Sequence, residues 1–161
     1  VCRSISEMTS LLSFIKWPND VIINGRKVCG ILTEMNAEVD RINFLIAGIG
    51  VNVNTDRSCL PKEASSIKEE LGIKISRIEL TRLIMIRFDE YYEAFQKKGF
   101  GPILSEIKRL SYSLGKRVRV HYLNRFIEGH VQDIDKDGAL ILRLDSGFIE
   151  RISAGDLVNI R

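Results

Sequence analysis

The hydrophobic pattern changes period three times along the chain, and each change predicts a different kind of element. At the start Ile5, Met8, Leu11 and Leu12 form a stripe with helical spacing. The stripe is already running at the first residue, which reads as the tail of a helix that starts further upstream. From Phe14 the pattern turns extended. Residues 14–17 begin a strand that Pro18 stops, Asn19 and Asp20 supply turn residues, and the apolar run Val21-Ile22-Ile23 follows. Asn24-Gly25 is the strongest short hairpin signal, because both positions of a type I′ turn need positive φ. Residues 28–35 are the returning strand. Residues 42–53 are a third, after a turn near Val39-Asp40-Arg41, so a meander of three antiparallel strands is predicted.

The middle of the chain reads as helical. Ser66 with Glu69, and Ser76 with Glu79, have capping-box spacing. From Leu80 the apolar residues Leu83, Ile84, Phe88, Tyr91 and Phe95 fall on one stripe, predicting a helix with a core-facing side that Lys97, Lys98 and Gly99 end. Pro102 opens a shorter helix through Leu110. Beyond Ser113 come five short alternating runs: residues 118–120, 126–131, 139–144, 148–152 and 157–160. The turns between them fall at Asn124-Arg125, Asp137-Gly138, Ser146-Gly147 and Gly155-Asp156. Short strands at this density predict a small SH3-like β-barrel. The expected fold is therefore α+β: an antiparallel or mixed sheet with packed helices over residues 1–112, then the barrel over 113–161.

Composition narrows the function classes. Hydrophobic residues make up 45% and charged residues 28% of the 161, the balance of a globular protein with a real core. A net charge of +3, with both signs interspersed, makes a nucleic-acid partner a poor expectation. Cys2, Cys29 and Cys59 are an odd set without a Cys-x-x-Cys pair, against a disulfide framework or thiolate metal site and for a reducing, cytoplasmic compartment. No apolar run approaches the roughly 20 residues of a membrane span, and Arg3, Ser4, Ser6 and Glu7 break up any signal-peptide core.

Candidate chemistry concentrates between Lys16 and Asn54. The hairpin returns Lys27 to the end of the sheet that carries Asn19 and Asp20. An ammonium beside a carboxylate at a sheet edge suits an anionic ligand, although isolated residues of these types more often form a plain surface ion pair. Gly48-Ile-Gly50-Val-Asn52-Val-Asn54 ends the third strand. Its glycines permit close approach, and Asn52 and Asn54 share one face, where an amide can meet a nucleobase edge. It is no dinucleotide fingerprint, since position 53 is Val and no helix follows, and by itself it reads better as a bend in a sheet. His121 and His130 lack metal spacing and read as barrel-strand residues. Cys29 has nothing nearby to activate it. Tyr91, Tyr92 and Phe95 have core spacing, and the alternating charges of residues 105–119 read as a solvated face.

Taken in order, KWPNDVIINGRKVCGILTE and then AGIGVNVN closely resemble the central sheet of biotin–protein ligases, and the helices and terminal barrel follow as they do in that family. The resemblance covers essentially the whole chain and implies a partial class II synthetase-like catalytic domain plus the SH3-like C-terminal domain. It implies the AMP-forming reaction: biotin and MgATP give biotinyl-5′-AMP, and a lysine of a carboxylase's biotin carboxyl carrier domain then takes the biotin. By motif position, Lys27 and Asp20 are the catalytic residues, Lys27 and Gly30 contact biotin, and Asn19 and Asn52 contact the nucleotide. Arg119 and Arg161 fall near the barrel positions that touch it. No protein metal site is implied beyond the magnesium that travels with ATP.

The family's glycine/arginine-rich biotin loop would precede Lys16 and is not among these residues, nor are the Ser/Thr and Gln that hold the biotin ring. The expectation is that this chain alone is incomplete for catalysis. A non-catalytic adenylate- or protein-binding module, with a homodimer along the sheet, is the alternative. A nucleic-acid-binding barrel is weaker still, because the barrel carries no aromatic stripe.

Overall fold

The computed structural model describes residues 1–158 and the backbone of Asn159. Helix α1 (Cys2–Thr9) buries Cys2, Ser4 and Ile5 and ends at Ser10, whose left-handed φ of 61° lets its amide close back on Ser6. Four strands follow: β1 (Phe14–Lys16), β2 (Asp20–Ile23), β3 (Arg26–Ala37) and β4 (Ile42–Val51), paired in that order into one antiparallel sheet. The predicted three-stranded meander is thus four-stranded, because residues 14–16 pair with β2 in the same sheet. The β2–β3 turn is the expected hairpin, with φ of 49° at Asn24 and 77° at Gly25.

Register is the feature that shapes the site. Asp20 lies opposite Gly30 and Val21 opposite Cys29, but Ile22 lies opposite Lys27 and not Val28. The extra residue is a β-bulge. Residues 27 and 30 would face opposite sides of a regular strand, and the bulge returns Lys27 to the side of Gly30 and Asp20.

Three helices follow: α2 (Ile67–Leu71), α3 (Arg77–Lys98) and α4 (Gly101–Leu110). Ser66 and Ser76 cap α2 and α3 by accepting from Glu69 N and Glu79 N. The Glu79 carboxylate takes Arg82 Nε at 3.0 Å. The expected core face of α3 holds only in part. Leu80 is buried and Ile84 packs against the same cluster, but Phe88 and Phe95 stand 51% and 48% exposed. The aromatic ring of Phe88 stacks on Tyr92 instead, with centroids 6.3 Å apart.

Strands β5 (Arg117–Tyr122), β6 (Arg125–Ile134), β7 (Leu140–Arg143), β8 (Ile149–Ile152) and β9 (Asp156–Asn159) form a second antiparallel sheet in the order β8-β7-β6-β5-β9. The barrel is not closed: among the described residues no ladder joins β8 to β9. Alternate residues still point to one core. Val118, Val120, Ile127, Val131, Leu140, Leu142, Ile152 and Leu157 cluster there, and Trp17 from the turn after β1 joins them. A second core holds Ile5, Val21, Ile23, Val28, Cys29, Ile67 and Leu80. Between the two cores lies α4, whose Leu104 and Ile107 face the barrel while Leu110 faces the sheet.

Candidate functional site

Lys27 Nζ stands 2.6 Å from Asp20 Oδ1, with the two side chains 47% and 18% exposed. Gly30 lies beneath the pair: a Cβ on it would come within 3.1 Å of Lys27 Cε and Nζ and 3.5 Å of Asp20 Oδ1. The backbone of Lys27 is clasped from outside the sheet. Its N–H donates to Glu63 O at 3.0 Å, and its carbonyl accepts from Ser65 N at 2.8 Å, a parallel bridge formed by the 57–64 loop. Together Lys27, Gly30, Gly50 and Asn52 line one side of a 470 Å³ cavity, and Cys59, Leu60, Pro61 and Ala64 of that loop line the other.

The asparagines differ in role. Asn52 lines this cavity while its Nδ2 donates to Ser65 O at 3.1 Å. Asn54 is a structural residue. Its Nδ2 donates to Ile75 O and its Oδ1 accepts from Ile75 N, so both ends of its amide are engaged. Asn19 donates Nδ2 to Ile31 O at 2.9 Å and accepts from Ile31 N through its own carbonyl, which pins the 17–20 corner to β3. Asn19 and Asp20 line a separate, mainly apolar cavity of 280 Å³ with Trp17, Ile31, Ile107 and Ile134. The Lys27–Asp20 pair therefore joins two hollows.

The structure brings Asp20, Lys27, Gly30 and Asn52 together and leaves the barrel arginine apart. Arg119 Nη2 pairs with Glu128 Oε1 at 2.5 Å, the guanidinium lies 5.9 Å over Phe126, and Arg119 lines neither cavity. Arg161 lies outside the described residues. Cys29 lines the cavity wall, and burial pushes its thiol up to about 11, an inert state. His121 packs against Phe126 with centroids 4.9 Å apart, and His130 is exposed.

Glu106 departs from the expected solvated face of residues 105–119. Its side chain is 13% exposed, takes Arg3 through both oxygens at 2.5 and 2.8 Å, and accepts from Tyr91 Oη at 2.5 Å. Burial alone would raise its carboxyl, but the donors Tyr91 and Arg3 together outweigh that and hold it below the usual carboxylate range. Desolvation, then the Glu106 contact, pushes the Tyr91 hydroxyl well up.

Two sequence families match around this geometry. Residues 1–54 match the Biotin/lipoate A/B protein ligase family, and residues 113–158 match the Biotin protein ligase C terminal domain. The chain belongs to the biotin protein ligase family. Among its relatives it is 37% identical to the bifunctional ligase/repressor BirA of Bacillus subtilis, across 98% of this chain and 49% of that protein. It is 32% identical to the biotin–[acetyl-CoA-carboxylase] ligase of Paracoccus denitrificans, across 83% of this chain and 58% of the relative. The biotin protein ligase of Aquifex aeolicus, solved in complex with biotin and ATP, superposes with a TM-score of 0.81 at 26% identity, over 99% of this chain and 67% of that one. The chain thus spans about half the length of the curated relatives it matches.

Proposed function

We propose that this chain forms one side of the active site of an ATP-dependent biotin–protein ligase. The observation that carries the reading is the Lys27–Asp20 pair over Gly30, at the mouth of the 470 Å³ cavity that Asn52 and the 57–64 loop complete. In the first step a biotin carboxylate oxygen attacks the α-phosphorus of ATP. The bond to the bridging oxygen breaks, pyrophosphate leaves, and biotinyl-5′-AMP remains. Negative charge builds on the α-phosphoryl oxygens in that step, and a fixed ammonium beside them lowers its cost. Lys27 fills that role, and Asp20 holds the ammonium in place. In the second step the amine of an acceptor lysine attacks the acyl carbon, AMP departs, and the amine proton goes to solvent or to a nearby base.

Gly30 lets the biotin tail approach the backbone. Asn19, Asn52, Arg119 and Arg161 serve the nucleotide, for which Arg119 must exchange Glu128 for phosphate. Magnesium comes with ATP, bound by the phosphates and water as that ion commonly is. Residues 1–112 belong to the catalytic domain and 113–161 to the C-terminal domain. The acceptor is the biotin carboxyl carrier domain of a carboxylase, and the exposed sheet suits a homodimer. No described helix is long and apolar enough to cross a membrane. The free thiols of Cys2, Cys29 and Cys59 support a cytoplasmic setting.

The test uses the chain extended to its relatives' length and incubated with biotin, MgATP and carrier domains from several carboxylases. Streptavidin blotting then reads covalent biotin. A band that requires both ATP and the acceptor lysine is expected; no band with any carrier domain contradicts the proposal.

A further inference from the structure

In the loop that forms the far wall of the cavity, one side chain gathers three backbone carbonyls. Arg57 donates Nη1 to Ala64 O at 2.6 Å and to Pro61 O at 3.1 Å, and Nη2 to Lys62 O at 3.1 Å. Among the described residues it pairs with no carboxylate, so the guanidinium is spent on the backbone of its own loop. That loop is the one whose Glu63 carbonyl and Ser65 amide grip the two backbone groups of Lys27. Ala64, the residue bridged to Lys27, is also the acceptor of the shortest Arg57 bond.

We propose that Arg57 is a positioning residue, which folds the 57–64 loop into a rigid clasp and through Ala64 fixes both Lys27 and the loop wall of the nucleotide cavity. This rests on the ligase reading above. Beyond the single 3-10 turn of Arg57–Cys59 and the isolated Lys27–Ala64 bridge, the loop has no regular structure with which to close one face of a cavity, and an unanchored loop would lose conformational freedom on each binding event. A planar fork with several donors can gather three carbonyls at once, whereas an ammonium on a flexible stem cannot do so in a fixed plane.

The experiment has two arms, each run on wild type, Arg57→Ala and Arg57→Lys. In this chain, native-state amide hydrogen exchange is followed at Lys27 and Ser65, whose N–H groups make the clasp, with the β5–β6 ladder as a reference for global folding. Both variants should lose protection at those two amides by about tenfold while the reference stays unchanged. In the chain extended to its relatives' length, both should raise KM for ATP by about tenfold. Wild-type behaviour of the lysine variant would mean that charge alone matters, and it overturns the proposal. So does unchanged protection in both variants. If the extended wild type makes no biotinyl-5′-AMP, the ligase reading fails, and the exchange arm still decides whether Arg57 holds the loop.

Discussion

A glycine with ordinary backbone angles, Gly30, marks how closely the site is packed. Replacing it with alanine puts a methyl group 3.1 Å from Lys27 Cε and Nζ, and the flexible lysine end must give way. Gly30→Ala should therefore cut adenylate formation on the order of tenfold while stability changes by less than about 1 kcal/mol. Single-turnover product formation beside a melting curve reads both. Of the candidate site, the meeting of Lys27 with Asp20 was legible in the sequence, because the Asn24-Gly25 turn folds Lys27 back towards Asp20; Gly30 came only from its motif position. The bulge that puts Lys27 on the correct face was not legible, since nothing in Lys27-Val28-Cys29-Gly30 marks the extra residue. Arg57 was missed for a similar reason: a loop organised by side chain to carbonyl bonds has no periodicity to read.

At the scale of elements, the Trp17-Pro18 corner ties the two sheets together. Trp17 is 6% exposed, packs in the barrel core, and donates Nε1 to Gly138 O at 3.0 Å. Trp17→Ala should cost about 3–5 kcal/mol, read by urea unfolding followed by circular dichroism, because the only tryptophan is then gone. The helices meet at Glu106, which joins α1 through Arg3 and α3 through Tyr91. Its folded carboxyl titrates below the ordinary value of about 4.3, so its contribution is complete above that pH and is lost as pH falls through the lowered folded value. Glu106→Gln should flatten the loss of stability below about pH 4.3 relative to wild type; parallel acid unfolding curves would contradict this. The helical period predicted α3 well but not which of its turns pack, since Phe88 and Phe95 share the stripe of Leu80 and Ile84 yet stand in solvent.

Viewed whole, the molecule has two packed ends and one bare hairpin. Leu45 and Ile46 are neighbours on β4 and face opposite sides, yet they are 56% and 54% exposed, and Leu32, Met35 and Phe44 are exposed alongside them. Apolar strands bare on both faces drive association. This chain should show concentration-dependent mass by sedimentation, and Leu45→Lys with Ile46→Glu should weaken that association at least tenfold without unfolding the barrel. A monomer at every concentration would show that the hairpin is tolerated bare. The sequence pattern predicted these strands as members of a sheet but not their exposure, because an apolar run reads alike whether or not its partner is present.

The proposed role of the Lys27 ammonium, held by Asp20, is to stabilise charge as biotinyl-5′-AMP forms. Biotin-dependent exchange of labelled pyrophosphate into ATP measures that step alone. In the chain extended to its relatives' length, Lys27→Ala should slow exchange by about 10²–10³-fold, with the melting temperature unchanged because the Lys27 side chain is 47% exposed and its backbone bonds remain. Exchange at the wild-type rate in that variant would remove Lys27 from the chemistry and contradict the account.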